Sequence, residues 1–278
     1  LGSSFEQFFD IIVNLSYCKV STTLSGALQA RFRVGPYLSD KQTKIDDRWS
    51  QYVYSNVLGG TLCPFNLVDL FKLVLGVNLK SQITWPKPQK RKHLGKRILV
   101  HPYSSSSKKT WPTNKWVEVI YSTLKDNPNT VVYIAGAIED LEASEKIVDS
   151  KLLSSFSNRL INITAQHNIE ELFQFLGEID LFIGHDSMVS HLAALHQTPS
   201  VVIALGTVKQ HETFPYNENA FVVSPRTGCF PCTPQESCEH LKCHLDVSHV
   251  AISEIIKCLV RGEAASVEKS FNDLPAFR

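Results

Sequence analysis

The side chains best suited to chemistry lie where apolar runs stop. In residues 180–205, DLFIGHDSMVSHLAALHQTPSVVIAL, an apolar run ends abruptly at His185-Asp186-Ser187. A helical pattern follows and carries His191 near its start, until Pro199 breaks it and a β-branched run begins at Val201. This reads as strand, tight turn, helix, strand. In an open α/β sheet, ligands bind at the carboxyl ends of strands. The N-terminus of the following helix offers unpaired N–H groups and a positive dipole end, which suits phosphate. A phosphate-bearing ligand over Ser187, Met188 and Val189 is therefore expected. Asp186 would repel that phosphate, so its partner is a hydroxyl, a cation or, as an N-cap, the helix N–H groups. His191 is either structural or faces the ligand.

Two other strand ends carry polar groups. HPYSSSSKKTWP, residues 101–112, has four serines (Ser104 to Ser107) and then Lys108 and Lys109. Small residues let a backbone approach phosphate, and a lysine acts there as a point charge. The glycine framework of a Walker A loop is absent. An ordinary surface loop is the competing account. AGAIEDLE, residues 135–142, pairs Gly136 with Glu139 and Asp140. A carboxylate past a strand end suits a vicinal diol such as ribose. An acidic first helical turn would look the same.

The fourth group is CFPCTPQESCEHLKC, with Cys229, Cys232, Cys238 and Cys243 spaced C-x2-C-x5-C-x4-C. Four thiolates can close a tetrahedral zinc or iron site, which would be structural because no coordination position stays open. The spacing is not that of a zinc ribbon. His240 or His244 could replace a ligand, and disulfides or free thiols compete.

The elements that must position these groups alternate. Strands are predicted at 97–102, 130–135, 159–163, 180–184, 200–205 and 220–224, and helices at 114–126, 138–150, 168–178, 187–196 and 247–261. That alternation implies βαβ units on a parallel sheet. Upstream, 10–16 and 32–34 read as strands and 20–29 as a short helix. Residues 48–77 have a helical period, with a second helix from Pro64 to about Leu75. Residues 1–80 form one domain, 81–97 a basic linker (WPKPQKRKHLGKR follows Thr84), 98–262 a doubly wound domain, and 263–278 a tail that packs elsewhere, back on the first domain in one reading. The 278 residues carry 28 basic and 27 acidic side chains, a net charge of +1. Bulk charge gives no case for nucleic-acid binding. The apolar stretches are strand-length, so no transmembrane helix is expected, and no basic-then-apolar leader opens the sequence.

In order, these motifs resemble glycosyltransferase family 9, the ADP-heptose:lipopolysaccharide heptosyltransferases. That family's Asp-Ser/Thr-Gly-x-x-His-Leu-x-x-Ala signature is resembled by residues 186–194, which match it at Asp186, Ser187, His191 and Leu192. Its Ser/Thr-rich loop with Lys-x-Trp-Pro is matched by Ser104, Ser105, Lys109, Trp111 and Pro112, with Trp116 beyond. Its Gly-then-Glu turn is matched by Gly136 and Glu139, and its cysteine-rich segment also recurs. The resemblance implies a GT-B-like α/β fold: two Rossmann-like domains with parallel sheets, the N-terminal one incomplete here. It implies an ADP-sugar donor held by Ser104, Ser105, Lys109, Glu139, Asp186, Ser187, Met188, Val189 and His191. Lys109 would stabilise the leaving group, and no cofactor is required for transfer.

The implied reaction is inverting transfer of a heptose or related sugar to a lipopolysaccharide-core or similar acceptor, lipid-linked or glycan. The implied setting is cytoplasmic, peripheral at the inner membrane. Two departures stand out. Met188 replaces the family's glycine, and the strand with a Gly-Asp turn that carries the family's candidate base is not in this sequence, so the general base is expected upstream of Leu1. The alternatives are a family member acting on protein or another polysaccharide, and a non-catalytic nucleotide-sugar-binding or assembly protein.

Overall fold

The computed structural model of the chain describes residues 7–59, 63–78, 95–233, 238–264 and 267. The chain divides into two compact units, residues 1–83 and 84–278. Most of the basic stretch assigned to a linker, and most of the C-terminal tail, lie outside the described residues.

The second unit holds the site. Its six strands are β5 (Arg97–His101), β6 (Val131–Ile134), β7 (Leu160–Asn162), β8 (Leu181–His185), β9 (Ser200–Ile203) and β10 (Ala220–Val223). Every neighbouring pair is parallel, in the order β10-β9-β8-β5-β6-β7. Period-two alternation distributes their side chains to two cores. Ile98, Val100, Val132, Ile134, Ile183, Val201 and Ile203 face one core. Trp116, Ile120 and Leu124 of α4 (Thr113–Asp126), Ile147 of α5 (Leu141–Val148) and Ile252, Ile255 and Ile256 of α10 (His249–Val260) close it. Leu99, Phe182 and Val202 face the other, with Leu176 of α6 (Ile169–Leu176) and Val189 and Ala193 of α7 (Met188–Leu195). Burial on both faces explains why these strands read as nearly unbroken apolar runs.

Local signals set the helix starts. Asn168 caps α6: its side chain accepts the Glu171 N–H at 2.9 Å, and Glu171 returns the favour to the Asn168 N–H at 2.8 Å. The helix after β6 is preceded by a short 3-10 turn, Ile138–Asp140, within the stretch expected to be one helix.

The first unit is smaller. β1 (Phe8–Val13) pairs in parallel with β2 (Gln29–Val34), and α1 (Lys19–Ala27) lies between them in sequence. A hairpin of β3 (Tyr37–Ser39) and β4 (Gln42–Lys44) was not signalled by Asn-Gly or Asp-Gly. Its two turn residues, Asp40 (φ 51°) and Lys41 (φ 63°), both take the left-handed region. The helical stretch from Arg48 splits into α2 (Arg48–Tyr52), a π-helical continuation (Val53–Leu58) and α3 (Leu67–Val74). The last helix starts at Leu67 rather than Pro64, because the Asn66 side chain accepts the Val68 N–H at 2.9 Å. Val53, Cys63, Leu70 and Val74 form this unit's core.

Phe182 is fully buried in the middle of β8. Phe182→Ala should cost about 3–5 kcal/mol, the usual range for a buried aromatic truncated in place. Urea denaturation checks this, with a shifted midpoint and an unchanged m-value expected.

Candidate functional site

The strand order creates the site. β5 is the first strand of the sheet and β8 the fourth, yet they are neighbours, with His101 opposite Gly184. From this pair the chain winds away in opposite directions, to β6 and β7 on one side and to β9 and β10 on the other. The loops leaving β5 and β8 therefore meet in the crevice where such sheets bind ligands. Lys109 Nζ lies 3.8 Å from Asp186 Oδ2, and His191 Nε2 lies 3.8 Å from Asp186 Oδ1. Three of the residues singled out from sequence are thus together.

The loop after β5 is shaped by its own hydroxyls. Ser104 Oγ donates to the Ser106 carbonyl at 3.0 Å, Thr110 Oγ1 donates to the same carbonyl at 2.9 Å, and the Ser106 hydroxyl accepts the Lys108 N–H at 3.3 Å. These bonds wind residues 107–109 into a single 3-10 turn. Ser104 is spent on the loop interior, whereas Ser105 is exposed. Trp111 then plugs the loop, fully buried and edge-on to Trp116 at 5.4 Å.

The pivot beneath the loop is His185, which the sequence did not single out. It is 1% exposed, and its ring lies edge-on to Trp116 at 5.3 Å. Its Nε2 accepts the Trp111 N–H at 3.0 Å, so the ring proton sits on Nδ1, directed at the Ile203 carbonyl 3.3 Å away. One side chain thus ties β8 to both the β5 loop and β9. Burial drives its pKa down to about 3, with a lesser push from His101, itself lowered to about 4 by burial. Both rings are neutral at pH 7. On the other side of the turn, Gly206 has φ +62°, and a Cβ there would stand 2.6 Å from the Lys108 carbonyl oxygen. Only glycine fits both constraints.

Asp186 is not the helix cap. Ser187 is the N-cap of α7, and the Ser190 hydroxyl sits across it, accepting the Ser187 N–H at 3.3 Å and donating to the Ser187 carbonyl at 2.7 Å. The Asp186 carboxylate faces Lys109, His191 and Thr213 instead. Its carboxyl is raised above the usual carboxylate range by burial, against the pull of Lys109, His191 and a hydrogen bond with Thr213. Asp186 Oδ1 and Ser187 Oγ are buried atoms with no hydrogen-bond partner. Thr213, on the short helix α8 (Gln210–Thr213), had no sequence signal, since its role depends on β9 lying beside β8. Val189 is buried in the core below and Met188 is 52% exposed at the helix start.

At the neighbouring strand end, Gly136 is needed for packing: a Cβ there would meet the Tyr103 ring at 2.8 Å. The two acidic residues separate in role. Asp140 accepts the Ala137 N–H at 2.9 Å and is consumed locally, while Glu139 is exposed.

All seven cysteines are free thiols, so no disulfide joins Cys229, Cys232, Cys238 and Cys243. Burial pushes the Cys232 thiol up, and Cys238, Cys243 and Cys229 push it the same way. Among the described residues no group of three His, Cys, Asp or Glu side chains is arranged to hold an ion. His240 Nδ1 lies 3.8 Å from Cys238 Sγ. His244 is engaged elsewhere: its Nε2 donates to the Lys108 carbonyl at 2.8 Å.

Residues 66–243 match glycosyltransferase family 9 (heptosyltransferase). Lipooligosaccharide heptosyltransferase 2 of Campylobacter jejuni is 30% identical over 172 residues, covering 60% of this chain and 52% of that protein. The chain spans about a third to a half of the length of the curated relatives it matches. Among solved structures, E. coli heptosyltransferase WaaC with ADP is similar at TM-score 0.60 and 14% identity, over 92% of this chain and 75% of that one. The dodecameric iron-containing heptosyltransferase TibC in complex with ADP-D-beta-D-heptose is similar at TM-score 0.54 and 16% identity, over 85% and 64%. At these identities the likeness is one of fold.

The buried histidine makes a prediction about acid. His185 titrates near 3 in the folded chain and near 6.5 when unfolded. Between those values the unfolded chain binds the extra proton, so stability is full above pH 6.5 and falls as pH drops toward 3. The slope from this one group approaches ~1.4 kcal/mol per pH unit. His185→Asn, which can still accept from Trp111 and donate to Ile203, should flatten that dependence by up to one proton. Urea denaturation at pH 7, 6 and 5 compares the two slopes, and equal slopes would remove His185 as the cause.

Proposed function

Because the chain belongs to glycosyltransferase family 9, the heptosyltransferases, we propose that it transfers a heptose or related sugar from an ADP-sugar to a lipopolysaccharide-core or similar glycan acceptor, with inversion. The observation that carries this reading is the convergence of Lys109, Asp186 and His191 at the sheet's switch point, beside the N-terminus of α7. A cation, a helix N-terminus and a buried carboxylate with an unpartnered oxygen suit a diphosphate joined to a polyol.

In the proposed reaction an acceptor hydroxyl oxygen attacks the anomeric carbon from the face opposite the diphosphate. The bond from that carbon to the β-phosphate oxygen breaks, and its electron pair leaves on the phosphate. Lys109 and the N–H groups at the start of α7 stabilise that developing charge. Ser104 shapes the loop, Ser105 is exposed to phosphate oxygens, and Ser187 lies at the start of α7 beside them. Asp186, beside the Lys109 ammonium, accepts hydrogen bonds from the sugar's hydroxyls, with His191 alongside. Glu139, exposed at the next strand end, accepts from the ribose. Val189 and Met188 line the helix start. The acceptor's proton goes to a base that we assign to none of the described residues.

The cysteine cluster is proposed as a structural zinc or iron site on the strength of its C-x2-C-x5-C-x4-C spacing. Among the described residues no helix is long and apolar enough to cross a membrane. We propose a cytoplasmic enzyme that meets a lipid-linked acceptor peripherally at the inner membrane. Met188 favours a second reading, a nucleotide-sugar-binding protein without turnover, because its side chain stands where the family pattern has glycine and narrows the backbone's approach to phosphate.

Calorimetry with ADP and ADP-heptose separates these readings. Binding with release of ADP in the presence of acceptor supports transfer, binding without turnover supports the second reading, and no binding of either nucleotide sinks both. Lys109→Ala should weaken ADP binding by about 1.5–3 kcal/mol, the scale of a charged hydrogen bond; an unchanged affinity takes Lys109 out of the site. Elemental analysis of the purified chain should find about one zinc or iron, lost in Cys232→Ser. A metal-free chain would end the metal proposal.

A further inference from the structure

The loop that carries Lys109 is held from below by a residue far away in sequence. His244, on the short helix α9 (Lys242–Asp246), is buried. Its Nε2–H donates to the Lys108 carbonyl at 2.8 Å. Its own carbonyl accepts the Trp111 indole N–H at 3.2 Å and the Lys115 ammonium at 2.7 Å. One residue therefore pins the chain on both sides of Lys109: the side chain grips residue 108 and the main chain grips residue 111. Lys109 sits between those two anchors, with its ammonium 3.8 Å from Asp186.

The anchor is itself fixed. Lys115 reaches from α4 to the Leu245 and Val247 carbonyls at 3.2 and 2.6 Å as well, and lies over the Trp111 ring at 5.2 Å. These carbonyls are the unsatisfied ones at the C-terminal end of α9, where a cation is favoured. Asp246 accepts the Arg226 N–H. From the other side, the Lys108 carbonyl is wedged against Gly206, whose own carbonyl accepts the Cys232 N–H at 2.8 Å. The cysteine-rich segment thus closes over the back of the phosphate loop.

We propose that His244 is a positioning residue of the donor site. It never meets the nucleotide; it fixes the 3-10 turn so that Lys109 is presented to the diphosphate without ordering cost on binding. This rests on the reading of Lys109 as a diphosphate ligand.

The test is ADP calorimetry on the full chain and four variants, with thermal melts recorded beside it. His244→Leu should weaken ADP about fivefold to thirtyfold, the scale of a lost buried hydrogen bond. His244→Gln, whose amide can still donate to the Lys108 carbonyl, should stay within about twofold of the unsubstituted chain. In a Lys109→Ala background, His244→Leu should cost less than about twofold more, because the group being positioned is gone. A His244→Leu variant that melts earlier but binds ADP normally, while Lys109→Ala is weakened, overturns the positioning role and spares the donor site. A Gln variant as weak as the Leu variant overturns the hydrogen-bond account. Failure of the unsubstituted chain to bind ADP overturns both. If His244→Leu does not fold, His244→Met, which likewise has no N–H to donate to the Lys108 carbonyl, replaces it, and normal affinity there is fatal to the proposal.

Discussion

The contact between the Trp111 N–H and the ring of His185 governs the ligand end of the second unit. It requires a neutral imidazole in one tautomer, because a protonated ring would turn a donor toward a donor. Burial enforces that state, and the paired Trp rings exclude the water that would otherwise compete. From this one interaction follow the seat of the loop after β5, the depth of Trp111 and the height at which Lys109 leaves the sheet. It also links β8 to β9 through Ile203, so three segments share a single registration point. Such a buried polar arrangement is costly if half satisfied and rigid if complete, and here both ring nitrogens have partners.

Rigidity below permits charge above. Lys109, Asp186 and His191 sit at distances too long for good hydrogen bonds and short enough for strong electrostatic influence. A set of that kind is poised for a third body. Anionic oxygens can enter between Lys109 and the start of α7, while Asp186 keeps an oxygen free for a hydroxyl donor. Its burial raises the cost of leaving it charged and unpaired, which strengthens its demand for such a donor. Ser187 holds the N-cap position, so Asp186 is not drawn into that role.

Much of this was legible in the chain before folding. All six strands of the second unit and its long helices fall within a few residues of where their periods put them, because burial on both sheet faces writes itself into continuous apolar runs. The first unit was less legible. A π-helical continuation shares the spacing of an α-helix over so short a stretch, and the Asp40-Lys41 turn lacks the glycine that announces a tight hairpin. Lys109, Glu139, Asp186 and His191 were visible as polar residues at strand ends. The distinction between Glu139 and Asp140 was not, since only the folded turn shows which carboxylate its own backbone consumes.

Sequence alone determined the alternation of strand and helix, the polar punctuation at the strand ends, and, by the order of its motifs, the family. These are local properties, carried by spacing along the chain. Tertiary structure decided which ends meet. β5 and β8 are neighbours despite two intervening strands, so Lys109 reaches a carboxylate far along the chain. It decided that His185 is neutral, that Ser187 and not Asp186 stands at the N-cap position, and that His244 serves the loop at Lys108. A histidine or carboxylate takes its charge and its partner from burial and from long-range pairing, and neither is encoded in the residues beside it.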